Sequence, residues 1–213
     1  MRAAGRDHGG GQLADRLVGG DHAVVRRAVV VLDLLDGDDV RLGEVRDDAL
    51  GQALVGEFEF NGQDVFVIAN HFDAKLGDQS QDGRFQFPAQ SSAVQRAGQA
   101  LAEHNFINQI LAIDKKADVV VVGDLNDYQF SPALSVLKTG TSDGSGKPTL
   151  TDLITTLPAS QQYTYDFDGV SEVLDHILVT KGIKKFDYQV VHINSEFANQ
   201  TSDHDPQVVD IKP

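Results

Sequence analysis

Four short stretches of this sequence place acids, carboxamides and imidazoles where apolar runs end: Asn70-His71-Phe72, Gly123-Asp124-Leu125-Asn126, Leu174-Asp175-His176 and Ser202-Asp203-His204. In the second, four consecutive valines at 119–122 lead into the glycine, which reads as a buried strand with a polar end. Residues two apart at a strand end project to the same side, so the Asp124 carboxylate and the Asn126 amide oxygen are expected to converge. Such a pair suits a hard divalent cation, because Mg²⁺ prefers oxygen ligands and takes only one or two carboxylates from protein. The bland reading is a strand followed by a turn. His71 ends its own strand and is either a structural hydrogen-bonder or a catalyst, depending on its partners. Asp175 and His176 interrupt the apolar run 173–179, and a buried carboxylate without a partner is costly, so Asp175 should have one. Asp203-His204 forms a second Asp-His pair just before a terminal apolar strand, although polar residues beside Pro206 also make an ordinary turn.

The elements that must position these groups follow from pattern. Residues 57–60, the Asn61-Gly62 pair and residues 63–70 alternate apolar and polar around a turn dipeptide, which predicts a β-hairpin delivering Asn70 and His71. Residues 72–88 are polar and glycine-bearing, a loop expected on the rim that carries His71 and Asp124. Within it Asp78, Ser80, Asp82 and Gly83 match the opening of a calcium loop, but Ala89 stands where the closing bidentate glutamate belongs, so structural Ca²⁺ is a secondary reading. Residues 91–113 carry Val94, Ala97, Leu101, Phe106, Ile110 and Ile113 at near-helical spacing, predicting an amphipathic helix on one face of a sheet. Its Arg96 is read as a solvated residue or as a phosphate contact. Ser131-Pro132 supplies an N-cap and first-turn proline for a short helix through Leu137. Residues 139–148 read as a surface loop. Strands are expected at 163–165, 173–179, 190–193 and 207–211, with a turn at 166–169.

The first 56 residues differ from the rest. They hold seven of the nine arginines, none of the nine lysines, and no Ser, Thr, Asn, Ile, Pro, Tyr or Phe, so they read as a separately derived segment, with the main domain at 57–213. Residues 23–35 are a strand or a short helix by pattern. Asp33 and Glu44 have the outer spacing of a calcium loop without its interior ligands, and Asp36, Asp38 and Asp39 read as a solvated turn.

With 213 residues the chain can bury one sizeable core. A formal charge of −14 argues against holding nucleic acid on a broad basic surface, so a polyanionic substrate would need bound cations and a local basic patch. Cysteine is absent, which removes disulfides and thiolate zinc sites. No run is long and apolar enough to span a membrane, and the first residues lack the apolar core of a signal peptide.

Taken in order, the NHF, GDLND, LDHILV and SDHDP motifs make the chain from about residue 57 resemble the endonuclease/exonuclease/phosphatase superfamily, the deoxyribonuclease I-like fold, and most closely its bacterial extracellular nucleases. The resemblance implies an α/β fold, a four-layer α/β/β/α sandwich with its site at one rim. It implies that His71 contacts the scissile phosphate and that Asp124 activates or positions water or protonates the leaving group. Asn126 would hold phosphate or metal, Asp175 would orient His204, and Asp203 would be a C-terminal metal ligand. Asn70 is read with Arg96 as substrate-binding. The metal set is then Asp124, Asn126 and Asp203, and the cofactor Mg²⁺ or Mn²⁺. Family members open with two further strands, one ending in asparagine and one carrying a metal-binding glutamate. Neither motif occurs in residues 1–56, where Glu44 is the nearest acid without a strand leading into it. The sandwich is therefore expected to be incomplete in its N-terminal half, and a second copy of the chain could cover the exposed sheet.

The chemistry is coherent on the residues themselves. Phosphodiester hydrolysis needs a positioned water, a base for it and positive charge near the phosphoryl oxygens. The expected function is a divalent-metal-dependent phosphodiesterase, a nuclease acting on DNA. The alternatives are a phosphomonoesterase or lipid phosphodiesterase of the same superfamily, and an inactive truncated relative serving as a binding module. By the resemblance the location would be extracellular, with no export signal read in this chain.

Overall fold

The structure, a computed structural model, describes the backbone of residues 24–32 and residues 53–60, 62–80, 83–167 and 169–212 in full. The readings on Asp33, Asp36, Asp38, Asp39, Glu44 and Asp82 lie outside the described residues. Among the described residues ten strands and two α-helices form in the order β1 (Val24–Leu32), β2 (Ala53–Phe60), β3 (Gln63–His71), α1 (Ser92–Ile113), β4 (Asp118–Asp124), α2 (Pro132–Thr139), β5 (Leu150–Asp152), β6 (Tyr165–Phe167), β7 (Val170–Glu172), β8 (Asp175–Thr180), β9 (Phe186–Val190) and β10 (Gln207–Ile211). Six strands make one mixed sheet in the order β1-β2-β3-β4-β8-β5, in which only β3 and β4 run parallel. The chain is thus mixed α/β, as expected.

The period of two along the strands sorts the core onto two faces. Ile68 of β3, Val119 and Val121 of β4 and Leu178 of β8 pack with Ala100 and Ile107 of α1 and Leu134 and Leu137 of α2. Val65, Val120, Ile177 and Val179 point the other way, against Tyr188 and Val190 of β9 and the partly buried Val209 and Ile211 of β10. The valine run at 119–122 thereby serves both cores, which is why it shows no alternation in sequence.

The β2-β3 hairpin forms around its predicted turn, with Gly62 at a φ of 81°. Strand β2 begins at Ala53 and so passes through the point where composition changes, and β1 pairs with it antiparallel. Whatever its origin, the N-terminal segment contributes a strand to the sheet. Helix α2 begins as read, with Ser131 Oγ accepting from the Leu134 amide, Pro132 in the first turn and Gly140 closing it in the left-handed region. Some strand bounds are shifted. The strand read at 163–165 forms at Tyr165–Phe167 and pairs with β7 in a tight ribbon, and the strand read at 190–193 ends at Val190 instead. Residues 150–161 hold a three-residue strand and two short 3₁₀ turns, too brief to leave a periodic signal.

Helix α1 occupies the expected span, and Phe106 and Ile110 pack against the core as read, but most of its fully buried positions are polar. Its buried stripe is Ser92, Arg96, Gln99, Ala100, Glu103, His104 and Ile107, while Val94, Leu101 and Ile113 are exposed. The spacing is helical, and polar residues share the buried face because their side chains brace the rim.

Candidate active site

Strand register assembles the first three groups. His71 pairs with Asp124 across the parallel β3-β4 ladder, and Asp124 pairs with Asp175 across the antiparallel β4-β8 ladder, so all three stand at one level on adjacent strands. Gly123 makes that register possible. Its φ is 141°, and a Cβ there would lie 2.0 Å from the Asn70 carbonyl oxygen. After Asp124 the chain turns sharply through Asn126, at a φ of 50°. The Asn126 amide N–H donates to Asp124 Oδ1 at 2.9 Å, and its side-chain NH₂ donates to the Phe72 carbonyl at 2.9 Å. The carboxamide orientation is thereby fixed by the chain that follows His71.

The fourth group arrives from the C-terminal loop. His204 Nδ1 lies 2.7 Å from Asp175 Oδ2, and its ring packs against Tyr165 at a centroid distance of 4.8 Å. Asp205 secures this loop: its carboxylate accepts from the amides of Ile193, Asn194 and Ser195, from Ser195 Oγ and from His192 Nδ1. The buried Thr164 joins the pieces, since its hydroxyl accepts from the Leu174 and Asp175 amides and its carbonyl from the Asp205 amide. Burial alone would raise the Asp205 carboxyl, but the hydrogen bonds from Ser195, His192 and Asn194 win and hold it at about 2.

The electrostatics set out roles. The hydrogen bond from His204 to Asp175 pushes the imidazole above its ordinary range, against burial, with Asp124 and Asp203 adding to the effect. With Nδ1–H committed to Asp175, Nε2 is the atom left to take a proton. Burial raises the Asp124 carboxyl; the Asn126 amide opposes this, Asp175 adds to it, and His204 and His71 oppose it. His71 Nε2 stands 3.5 Å from Asp124 Oδ2 on a largely exposed side chain.

One ligand atom each from Asp124, Asp175 and His204 fall within 4.8 Å of one another. Two partly buried carboxylates with an imidazole form a donor set that suits a divalent cation, whose charge would offset the burial that raises Asp124. Asp203 is exposed and is not part of that convergence.

Two readings change. Arg96 neither faces solvent nor reaches the cluster: it is 1% exposed, its Nε donates to Asp127 Oδ2 at 2.9 Å, and Nη1 donates to the Asp73 carbonyl at 3.1 Å. A buried guanidinium needs such acceptors, so Arg96 ties the loop after His71 to the turn after Asp124 and is not placed to contact substrate. Asn70 donates to Glu103 Oε1 at 3.1 Å, which leaves its carboxamide turned toward α1. The calcium reading of 78–89 also loses a ligand, because the Asp78 carboxylate accepts from Ser91 Oγ and from the amide and hydroxyl of Ser92 at the start of α1.

The supporting groups were not read from sequence. Glu103 is buried and pushed up to about 8 by desolvation, against its hydrogen bond from Asn70. His176 is fully buried between Asp152 Oδ2 and the Asp127 carbonyl, both at 2.9 Å. Both partners only accept, so both ring nitrogens carry protons, and the carboxylate of Asp152 raises the imidazole although burial lowers it. The available signal was the Asp-His dipeptide at 175–176 inside an apolar run.

Comparison with known proteins identifies the family and the fold. The Endonuclease/Exonuclease/phosphatase family model matches residues 19–206. No curated protein matches. Among solved structures, an endonuclease/exonuclease/phosphatase family protein from Bacteroides thetaiotaomicron is 17% identical with a TM-score of 0.54, covering 88% of this chain and 64% of that one. Truncated Caenorhabditis elegans TDP2 is 14% identical with a TM-score of 0.54, covering 76% of this chain and 59% of that one. Sphingomyelinase C from Streptomyces griseocarneus is 17% identical with a TM-score of 0.52, covering 76% and 58%. The chain spans less than two thirds of the length of each.

Proposed function

Because the chain belongs to the endonuclease/exonuclease/phosphatase family, we propose that it is a divalent-metal-dependent phosphodiester hydrolase, a nuclease acting on DNA. The observation that carries this is the convergence of Asp124, Asp175 and His204 within 4.8 Å, level with His71 on the neighbouring strand. Asp175 fixes the His204 tautomer, so that Nε2 takes the proton of a water attacking phosphorus. His71, exposed at the rim, donates to a non-bridging phosphoryl oxygen when protonated. Asp124, with Asn126 held beside it, would hold Mg²⁺ or Mn²⁺, which would supply Lewis acidity and stabilise charge on the leaving oxygen. A further acid ligand would come from a second copy of the chain.

Plasmid DNA incubated with folded protein and Mg²⁺ or Mn²⁺, then with chelator, tests the reading. Cleavage abolished by chelation supports it, and intact DNA in every condition refutes it. The likeness to Sphingomyelinase C, together with exposed Phe85, Phe87 and Phe130, favours a lipid phosphodiester as the second reading. Sphingomyelin vesicles in the same assay separate the two. Among the described residues no helix is long and apolar enough to cross a membrane.

A further inference from the structure

The hydrogen bonds of His204 hold its backbone and one ring nitrogen, and together they do not aim the ring. Nδ1 lies 2.7 Å from Asp175 Oδ2, the His204 amide donates to Ser202 Oγ at 3.1 Å, and its carbonyl accepts from Asn194 Nδ2 at 2.8 Å. Rotation of the imidazole about the Nδ1–Oδ2 line costs that bond nothing, yet it swings Nε2 through an arc. A general base works only within hydrogen-bond reach of the proton it takes, so the arc has to be narrowed. The His204 side chain is 28% exposed, and the core does not enclose it.

Tyr165 supplies the missing restraint on the ring face. Its centroid lies 4.8 Å from that of His204 with the planes at 44°, a tilted contact within the favoured range of aromatic pairs. The backbone brings the two together: Tyr165 and His204 form an antiparallel bridge, and the Asp205 amide donates to the Thr164 carbonyl at 2.7 Å. Two residues along β6, on the same face, Phe167 stacks on Tyr165 at 6.2 Å and 9°. Phe167 is 57% exposed, and its place behind Tyr165 gives that exposure a purpose. His204, Tyr165 and Phe167 thus form a run of rings from the cluster toward the turn of the β6-β7 ribbon. Tyr165 is itself only partly buried, so filling the core is not what its ring is for.

We infer that Tyr165 is a positioning residue for the His204 imidazole, its ring fixing the plane in which Nε2 meets the attacking water. The inference rests on the phosphodiesterase reading for what Nε2 does; the clamp itself does not depend on it. The contact is between rings, so the flat face supplies the restraint and the hydroxyl does not. A residue that acts through the base touches the reaction and not substrate binding, so its loss falls on kcat and spares KM.

The test compares Tyr165→Phe, which keeps the ring, with Tyr165→Leu, which keeps apolar bulk and removes the flat face; circular dichroism checks that both fold. With bis(4-nitrophenyl) phosphate and Mn²⁺, Tyr165→Leu should lower kcat roughly 10-fold to 100-fold at an unchanged KM, while Tyr165→Phe keeps the parent rate. Adding Tyr165→Leu to His204→Ala should cost nothing further, because a residue that acts through the imidazole is silent once the imidazole is gone. A multiplied loss in the double variant, or a raised KM at the parent kcat, overturns the inference by giving Tyr165 its own contact with substrate. A loss in Tyr165→Phe as large as in Tyr165→Leu also overturns it, since the ring is still there. A second readout needs no turnover: the downfield Nδ1–H proton of His204, identified by NMR through its absence in His204→Ala, should broaden in Tyr165→Leu and stay sharp in Tyr165→Phe. An unchanged resonance in Tyr165→Leu overturns the inference whatever the activity. A parent that turns over no phosphodiester, with the resonance broadened in Tyr165→Leu, removes the hydrolase reading and leaves the clamp standing, so the two fail separately.

Discussion

Replacing Glu103 by glutamine should make the protein more stable at alkaline pH and leave it nearly unchanged in mild acid. Glu103 sits fully buried on α1, accepting from Asn70 at one oxygen, while its second oxygen has no partner. Desolvation raises the carboxyl from an ordinary 4.5 to about 8. The folded state thus binds this proton more tightly than the unfolded chain. Stability linked to it is complete below about pH 4.5 and is lost as pH rises to about 8, at about 1.4 kcal/mol per pH unit across that window. Between about pH 5 and pH 8 the loss is on the order of 4 kcal/mol, or roughly 10 °C in melting temperature for a chain of this size. Glutamine keeps the shape and the acceptor for Asn70 but cannot ionise. Urea unfolding of both proteins across that range reads the difference directly, and the difference isolates Glu103 from other groups that titrate there. Parallel pH profiles for the variant and the parent would refute the reasoning.

Other perturbations probe the frame. Arg96→Met strands the buried Asp127 carboxylate and frees the Asp73 carbonyl, and should cost about 3–5 kcal/mol in denaturant unfolding. Gly123→Ala forces a Cβ to within 2.0 Å of the Asn70 oxygen at a φ of 141°. A loss on the order of 3 kcal/mol is expected, with activity falling as the β3-β4 register shifts; an unperturbed melting curve would contradict it. Asp205, held at about 2 against an ordinary 3.8, contributes about 2 kcal/mol above that ordinary value, lost as pH falls to about 2. Asp205→Asn should flatten the acid limb of the stability curve and loosen His204, seen as a shifted imidazole resonance.

The parts of this fold that sequence made legible are those governed by local rules. The Asn61-Gly62 hairpin, the Ser131-Pro132 helix start and the valine strand ending at Asp124 each follow from turn chemistry, capping or burial, and each formed where read. The gathering of His71, Asp124, Asp175 and His204 was legible only through the four motifs taken together, because register between distant strands leaves no mark in either strand alone. The bracing was not legible. In α1 Phe106 and Ile110 pack on the core as read, yet Arg96, Gln99, Glu103 and His104 are buried beside them. Their partners, Asp127, Asp73, Asn70 and the Leu137 carbonyl, lie up to thirty-odd residues away, and no periodicity encodes a partner. Arg96 was misread for that reason: an arginine facing a rim in sequence looks the same whether it meets substrate or a buried carboxylate.

The central claim is that Asp124, Asp175 and His204 form one hydrolytic site for phosphodiesters. The most direct measurement is turnover of bis(4-nitrophenyl) phosphate by the folded protein and by His204→Ala, with Mn²⁺ and then with excess chelator. The account predicts metal-dependent release of nitrophenolate by the parent, stopped by chelation and reduced about 10²-fold to 10⁴-fold in the variant. Equal rates in parent and variant, or turnover undiminished by chelator, would contradict it.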